Sequence, residues 1–215
     1  MTTQTPTSSS PTRPSRRGDP TWELGEGAPL QGGWTEAEYL AREFDGLVEY
    51  LDGVLEFLPV PTWSHQFLVD FLHSLLKQHV RAHRLGVTAF APLRVQVGPS
   101  RYREPDVVYV ARERMQSLQN PSEGADLVME VVSPAPEDRR WDLIEKRSDY
   151  AAAGIPEYWI VDPETETITV LSLRDRDTEY ATSGEFKAGQ TAVSLLLSGF
   201  VVDVSACFAA GNGGN

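Results

Sequence analysis

Cysteine, positive charge and long apolar runs are all scarce in this chain. Cys207 is the only cysteine, which excludes an internal disulfide and a cysteine-based zinc site. The longest apolar stretch, Ala192 to Val202, is broken by Ser194, Ser198 and Gly199 and is too short to span a bilayer. Arg13, Arg16 and Arg17 have no apolar segment beside them, so no secretory signal is expected and the expected location is cytoplasmic. Lys and Arg number 19 against 31 Asp and Glu, a formal net charge of −12. A protein that coats nucleic acid by bulk electrostatics needs the opposite balance. A local basic patch is still compatible with that charge, and carboxylates gathered to hold a divalent cation would themselves raise the negative count. Neither a glycine-rich phosphate loop nor a Gly-x-Ser-x-Gly elbow occurs, which argues against nucleoside triphosphate hydrolysis and serine hydrolase chemistry.

The 215 residues, 40% apolar and 23% charged, suit one soluble globular domain. Residues 1–20 are mostly Thr, Ser, Pro and Arg and cannot offset the entropy of ordering, so they read as a disordered tail. Residues 211–215 read as a second flexible tail, leaving a single domain over 21–210. A short helix is expected over 35–44, capped by Thr35. Asp52-Gly53 between Leu47–Leu51 and Val54–Leu58 is a hairpin signature. A long helix follows Pro61, with Phe67, Leu68, Phe71, Leu72, Leu75 and Val80 on one face. Strands are expected over 87–90 and 93–97, a loop through 98–100, then strands carrying Asp106 and Glu130. A helix over 137–153 with Gly154 past its end, strands at 158–161 and 168–172, and antiparallel strands at 178–182 and 192–195 complete the pattern. A closing segment covers 200–204. The expected fold is α/β, a mixed sheet flanked by helices with a C-terminal antiparallel extension.

Asp106 and Glu130 carry the strongest chemical signal. Each lies in a run that reads as a buried strand, Pro105 to Val110 and Leu127 to Val132, where an unpaired carboxylate costs several kcal/mol. Either acid alone reads more simply as a turn cap. Both, followed by Lys146 on a helix, read as a two-carboxylate site for Mg²⁺, which prefers hard oxygen ligands, with Mn²⁺ able to substitute. At 100° per residue Leu143, Lys146, Tyr150 and Ala153 share one face, so Lys146 is expected to point inward. The plainer reading of Lys146 is a surface pair with Asp142.

Glu49, between Val48 and Tyr50 on the first hairpin strand, is a third candidate acid, although alternation also allows it and Glu56 to face solvent. His65 falls in the first turn of the long helix, where capping or packing is the commoner role. Arg139, Arg140 and Arg147, together with Arg103 just before the Asp106 strand, are candidate phosphate contacts. Arg139 and Arg140 read equally as solvated partners of Glu137 and Asp138.

In this order Val48-Glu-Tyr-Leu-Asp-Gly53, Tyr102-Arg-Glu-Pro-Asp-Val107, Asp126 to Pro134, Asp142-Leu-Ile-Glu-Lys146, Tyr150 to Gly154 and Glu157 to Pro163 resemble the Uma-two family of predicted restriction endonucleases, in the PD-(D/E)XK nuclease superfamily. The resemblance covers residues 34–208. It implies a restriction-endonuclease-like core and Mg²⁺-dependent hydrolysis of nucleic acid, with DNA the expected substrate. Asp106 and Glu130 then match the two motif acids and Glu49 an additional one. The usual motif lysine would fall at Val132, so Lys146 becomes its migrated replacement. Tyr150 is an accessory candidate. The absent in-strand lysine and the acidic surface leave a second reading, a non-catalytic binding module on the same fold. Cutting both strands of a duplex generally needs two centres, so a homodimer is expected. The apolar segment 192–208 and the edge at 168–182 are its candidate surfaces, unless Phe200, Val202 and Phe208 close the monomer's own core.

Overall fold

A computed structural model describes residues 13–117, 121–133, 139, 141–175 and 177–213, without the side chains of residues 116, 117, 141 and 142. Two sheets meet in it, and the chain crosses between them at Glu104-Pro105-Asp106. The smaller sheet has the order β2–β1–β5–β4, from β1 (Val48–Leu51), β2 (Val54–Phe57), β4 (Val95–Gly98) and β5 (Arg101–Arg103). The larger has the order β10–β9–β8–β7–β6–β3, from β3 (Gly86–Phe90), β6 (Val107–Ala111), β7 (Leu127–Val131), β8 (Glu157–Asp162), β9 (Thr167–Ser172) and β10 (Ala181–Phe186). Its pairs are antiparallel except β7 with β8, whose parallel pairing requires the crossover that α3 (Lys146–Ala152) supplies. A π-helical turn, Trp141–Glu145, leads into α3. β11 (Thr191–Val193) and β12 (Val201–Asp203) form a separate hairpin.

Alternation along the strands sorts the core into layers. Leu127, Met129 and Val131 face α2 (Trp63–His83) and α4 (Val204–Gly211), joining Leu72, Leu76, Trp159 and Phe208 in one cluster. Val128 and Val132 face the other way, onto Tyr150 and Ala151 of α3. A third, aromatic cluster holds Trp34, Tyr39, Tyr50 and Tyr102 against the small sheet. α1 (Glu36–Ala41) starts at Thr35 with a reciprocal capping box to Glu38, and Asp52 and Gly53 take the positive φ angles that the hairpin requires.

The structure departs from the sequence expectation at several elements. Beyond the turn at Pro99 and Ser100, where a loop is expected, Arg101–Arg103 form an additional strand, β5. Asp106 sits at a bend just before β6. Residues 204–211 form a helix, α4, capped by Asp203 accepting the N–H of Ala206. Phe200, Val202, Val204 and Phe208 are buried in the protein's own core, while Val193, Leu195, Leu196 and Val201 are exposed.

Residues 13–20, expected in the disordered tail, fold back on the small sheet. Ser15 is buried and bonds Glu23 through both its N–H and its hydroxyl. Gln31 donates to the Leu55 carbonyl and accepts the Leu55 N–H, each at 2.8 Å. Its amide thereby stands in for a neighbouring strand at the edge of β2. At the other end Gly211, placed in the expected C-terminal tail, is the last residue of α4 and is buried.

Candidate active site

Asp106 lies just before the start of β6, beside the end of β7 that carries Glu130. β6 and β7 pair antiparallel with Val107 opposite Met129, and extending that register by one residue sets Asp106 opposite Glu130. One Asp106 oxygen accepts the Val131 N–H at 2.7 Å and the other lies 3.0 Å from His65 Nε2. Glu130 shares a strand face with Val128 and Val132, the face that α3 covers. Its Oε1 accepts the Tyr150 hydroxyl at 2.5 Å, and Lys146 Nζ lies 3.0 Å from its Oε2. Lys146 points inward, as the helical spacing predicts, and is buried.

The same alternation brings Glu49 to this point from the other sheet. Tyr50 pairs with Tyr102 in the aromatic layer, so Glu49 and Arg103, one residue away on each strand, project from the opposite face. Glu49 is 0% exposed and Arg103 1%. Arg103 spans Glu49 at 2.5 Å and Asp149 of α3, reached by Nε at 3.0 Å. Glu49 Oε1 accepts the Glu104 N–H at 3.1 Å and lies 3.7 Å from Lys146 Nζ. Burial pushes the Glu49 carboxyl up, but Lys146 and Arg103 together outweigh it and hold its pKa below the ordinary value.

Arg103 therefore does not reach a phosphate: it is the buried counter-ion of two carboxylates. Arg139 is bound to Asp162 through both guanidinium nitrogens, at 2.9 and 2.7 Å, and to Glu164. Arg147 donates to the Tyr180 carbonyl. Arg140, Glu137, Asp138 and the side chain of Asp142 lie outside the described residues.

A cleft of about 820 Å³ opens onto the Asp106 side of this cluster, with His65, Glu104, Asp106 and Arg94 in its lining. Glu49, Glu130 and Lys146 are buried behind it. Glu104 is the residue that sequence reasoning missed, although it immediately precedes the Pro-Asp pair. Its Oε2 accepts the Val48 N–H and its Oε1 lies 3.8 Å from Arg94. Burial, and then the charge of Glu49, raise its pKa to about 7.

Among the described residues no group of three or more His, Cys, Asp or Glu side chains is arranged to hold a metal ion. The carboxylates of Asp106 and Glu130 are nevertheless the kind of oxygen donor a hard cation takes, since Mg²⁺ is usually held by one or two carboxylates with water and substrate completing the shell. Both carboxylates are already partnered, Asp106 by His65 and Glu130 by Lys146 and Tyr150, so a cation would share or displace those contacts.

The family model described as "Uma2: Putative restriction endonuclease" matches residues 34–205. The chain belongs to that family. A solved structure from Anabaena variabilis, described as a "putative nuclease belonging to DUF820", superposes with a TM-score of 0.67. It shares 18% sequence identity, covering 85% of this chain and 99% of that one; at that identity the likeness carries the fold. No curated protein matches. The chain is thus a restriction-endonuclease-like protein of the Uma2 family, built on a mixed sheet flanked by helices. None of its described helices is long and apolar enough to cross a membrane.

Proposed function

We propose that this Uma2 protein is a Mg²⁺-dependent endonuclease, able to use Mn²⁺, that hydrolyses phosphodiester bonds in DNA. The observation that supports the reading is the contact of Asp106 with the Val131 N–H, one residue from Glu130, whose carboxylate Lys146 approaches at 3.0 Å. Asp106 and Glu130 are the residues that would hold the cation, whose contribution is to acidify a water and offset charge on the phosphate. Lys146, anchored between Glu130 and Glu49, would orient the attacking water by donating a hydrogen bond to it. Tyr150 fixes the second oxygen of Glu130, and His65 holds Asp106 in place. Glu49, saturated by Arg103 and the Glu104 N–H, serves here as the anchor of Lys146 and not as a metal ligand.

Calorimetric titration with MnCl₂ tests the assignment. Asp106→Ala is expected to abolish binding while leaving the thermal unfolding transition cooperative, and undiminished affinity in the variant would refute it. A second reading, a non-catalytic nuclease-like module, is favoured by the partnered state of both carboxylates. Cleavage of single-stranded, duplex or branched substrates that vanishes in Glu130→Ala and Lys146→Ala excludes the module. Binding to all of these without cleavage excludes the enzyme.

A further inference from the structure

The cleft beside Asp106 is bordered by apolar side chains that the fold leaves in water. Val60, in its lining, is 92% exposed. The chain runs on through Pro61 to Trp63, the first residue of α2, which is 80% exposed and tilted against Phe67 with ring centroids 5.8 Å apart. Phe90, 53% exposed, immediately precedes the lining residues Ala91 and Pro92 and packs on His73 of α2 with ring centroids 4.7 Å apart. Large side chains this exposed beside a cleft mark a contact surface.

Charge decides what that surface suits. A duplex is gripped through its phosphates by a track of lysines and arginines. Here Arg42 is an exposed arginine of the lining, set against exposed Glu43 and Asp45. Arg94 is turned onto the Tyr39, Leu40 and Arg42 carbonyls and lies 4.3 Å from the Tyr39 ring centroid. Arg101, Arg103 and Arg139 are bound to carboxylates. With a net charge of −12, the recognition left to this cleft is the π-face of a base, which a paired and stacked base does not offer. The volume of about 820 Å³ is within the roughly 300–1,000 Å³ range of sites that enclose a small ligand, enough for an unstacked nucleotide.

We infer that the cleft takes an unpaired strand, with Trp63 and Phe90 as stacking platforms that lead it to Asp106. This rests on the nuclease reading and narrows its substrate to single-stranded nucleic acid or the splayed strand of a branched one. Stacking on exposed aromatics is sequence-tolerant and contributes about 1–3 kcal/mol per base. A strand held this way contacts few phosphates, so its affinity falls only gently with salt.

Fluorescence anisotropy on the full chain tests this, with calcium chloride replacing magnesium so that binding is read apart from hydrolysis. The probes are a labelled oligodeoxythymidylate, the matching oligouridylate and a blunt hairpin duplex. The unpaired probes are expected to bind at least about tenfold tighter than the duplex, with Trp63→Ala and Phe90→Ala each weakening them by about 5- to 150-fold. Both side chains are exposed, so the variants are expected to retain the parent's melting temperature. A preference between the two unpaired probes assigns the sugar. Equal affinity for the duplex, or strand binding untouched by both substitutions, overturns the inference. Magnesium-dependent cleavage of duplex without strand binding overturns it while leaving the nuclease reading standing. A change of mass in light scattering of Trp63→Ala would reassign the patch to protein contact.

Discussion

Replacing Glu104 with Gln removes one part of the pH dependence of this protein's stability. The carboxyl lies in the cleft wall, buried, close to the Glu49 carboxylate and paired only at 3.8 Å with Arg94. Burial first and the Glu49 charge second raise its pKa from 4.5 to about 7. Between those values the folded chain holds a proton at Glu104 that the unfolded chain has released. Stability from this group is therefore complete below pH 4.5, falls as pH rises toward 7, and stays level above it. At about 1.36 kcal/mol per pH unit the loss between pH 5 and 8 comes to about 2–3 kcal/mol. Gln keeps an oxygen for the Val48 N–H and never ionises. Urea unfolding in EDTA at pH 5, 6, 7 and 8 reads the difference between variant and parent, so that titrations common to both cancel. That difference is expected to move by about 2–3 kcal/mol in favour of the variant as pH rises, about 4–12 °C in melting temperature for a chain of this size. A difference that stays constant from pH 5 to 8 would refute the argument, because it would mean that Glu104 is charged or neutral throughout.

Two further outcomes follow from the geometry. Glu157, at the start of β8, is buried and accepts from Trp159 Nε1 and Ser194 Oγ on one oxygen and from the Leu195 and Leu196 N–H groups on the other. In Glu157→Gln an amide NH₂ must face two donors, so a loss of about 2–4 kcal/mol is expected in urea unfolding at pH 7, and an unchanged midpoint would refute it. The homodimer is expected to show in light scattering as twice the 23.8 kDa of one chain, with the exposed Val193, Leu195, Leu196 and Val201 as its apolar surface; a single-chain mass at micromolar concentration would refute it.

The larger sheet was legible because its strands obey simple rules. β6 and β7 are largely apolar runs of five residues that each follow an Asp, β8 ends at Asp162-Pro163, and Asp52-Gly53 names its own turn. β5 was not legible, since Arg101-Tyr102-Arg103 carries two charges that ordinarily mark a surface. α4 was hidden for a different reason. Its eight residues, Val204–Gly211, are too few to show periodicity, and only Asp203 as a cap announces it. The N-terminal segment is poor in apolar residues by composition, yet Ser15 and Gln31 anchor it through hydrogen bonds that a hydropathy pattern does not register.

The site divides along the same line. Asp106, Glu130 and Lys146 could be found because a charge inside an apolar run or on an inward helix face is a local anomaly. What satisfies those charges is not local. Arg103 meets Glu49 across 54 residues and Asp149 across 46, and no spacing rule relates them. The alternation of β1 and β5 determines the outcome: once Tyr50 and Tyr102 share the aromatic layer, Glu49 and Arg103 must share the other face. A buried arginine without its acids would cost several kcal/mol, so that face commits Arg103 to Glu49 and Asp149 before any phosphate could compete for it. The same constraint bears on the direction of Lys146. Asp149, one turn further along α3, is tied to the small sheet through Arg103 and Arg101, and this fixes the helix that aims Lys146 at Glu130.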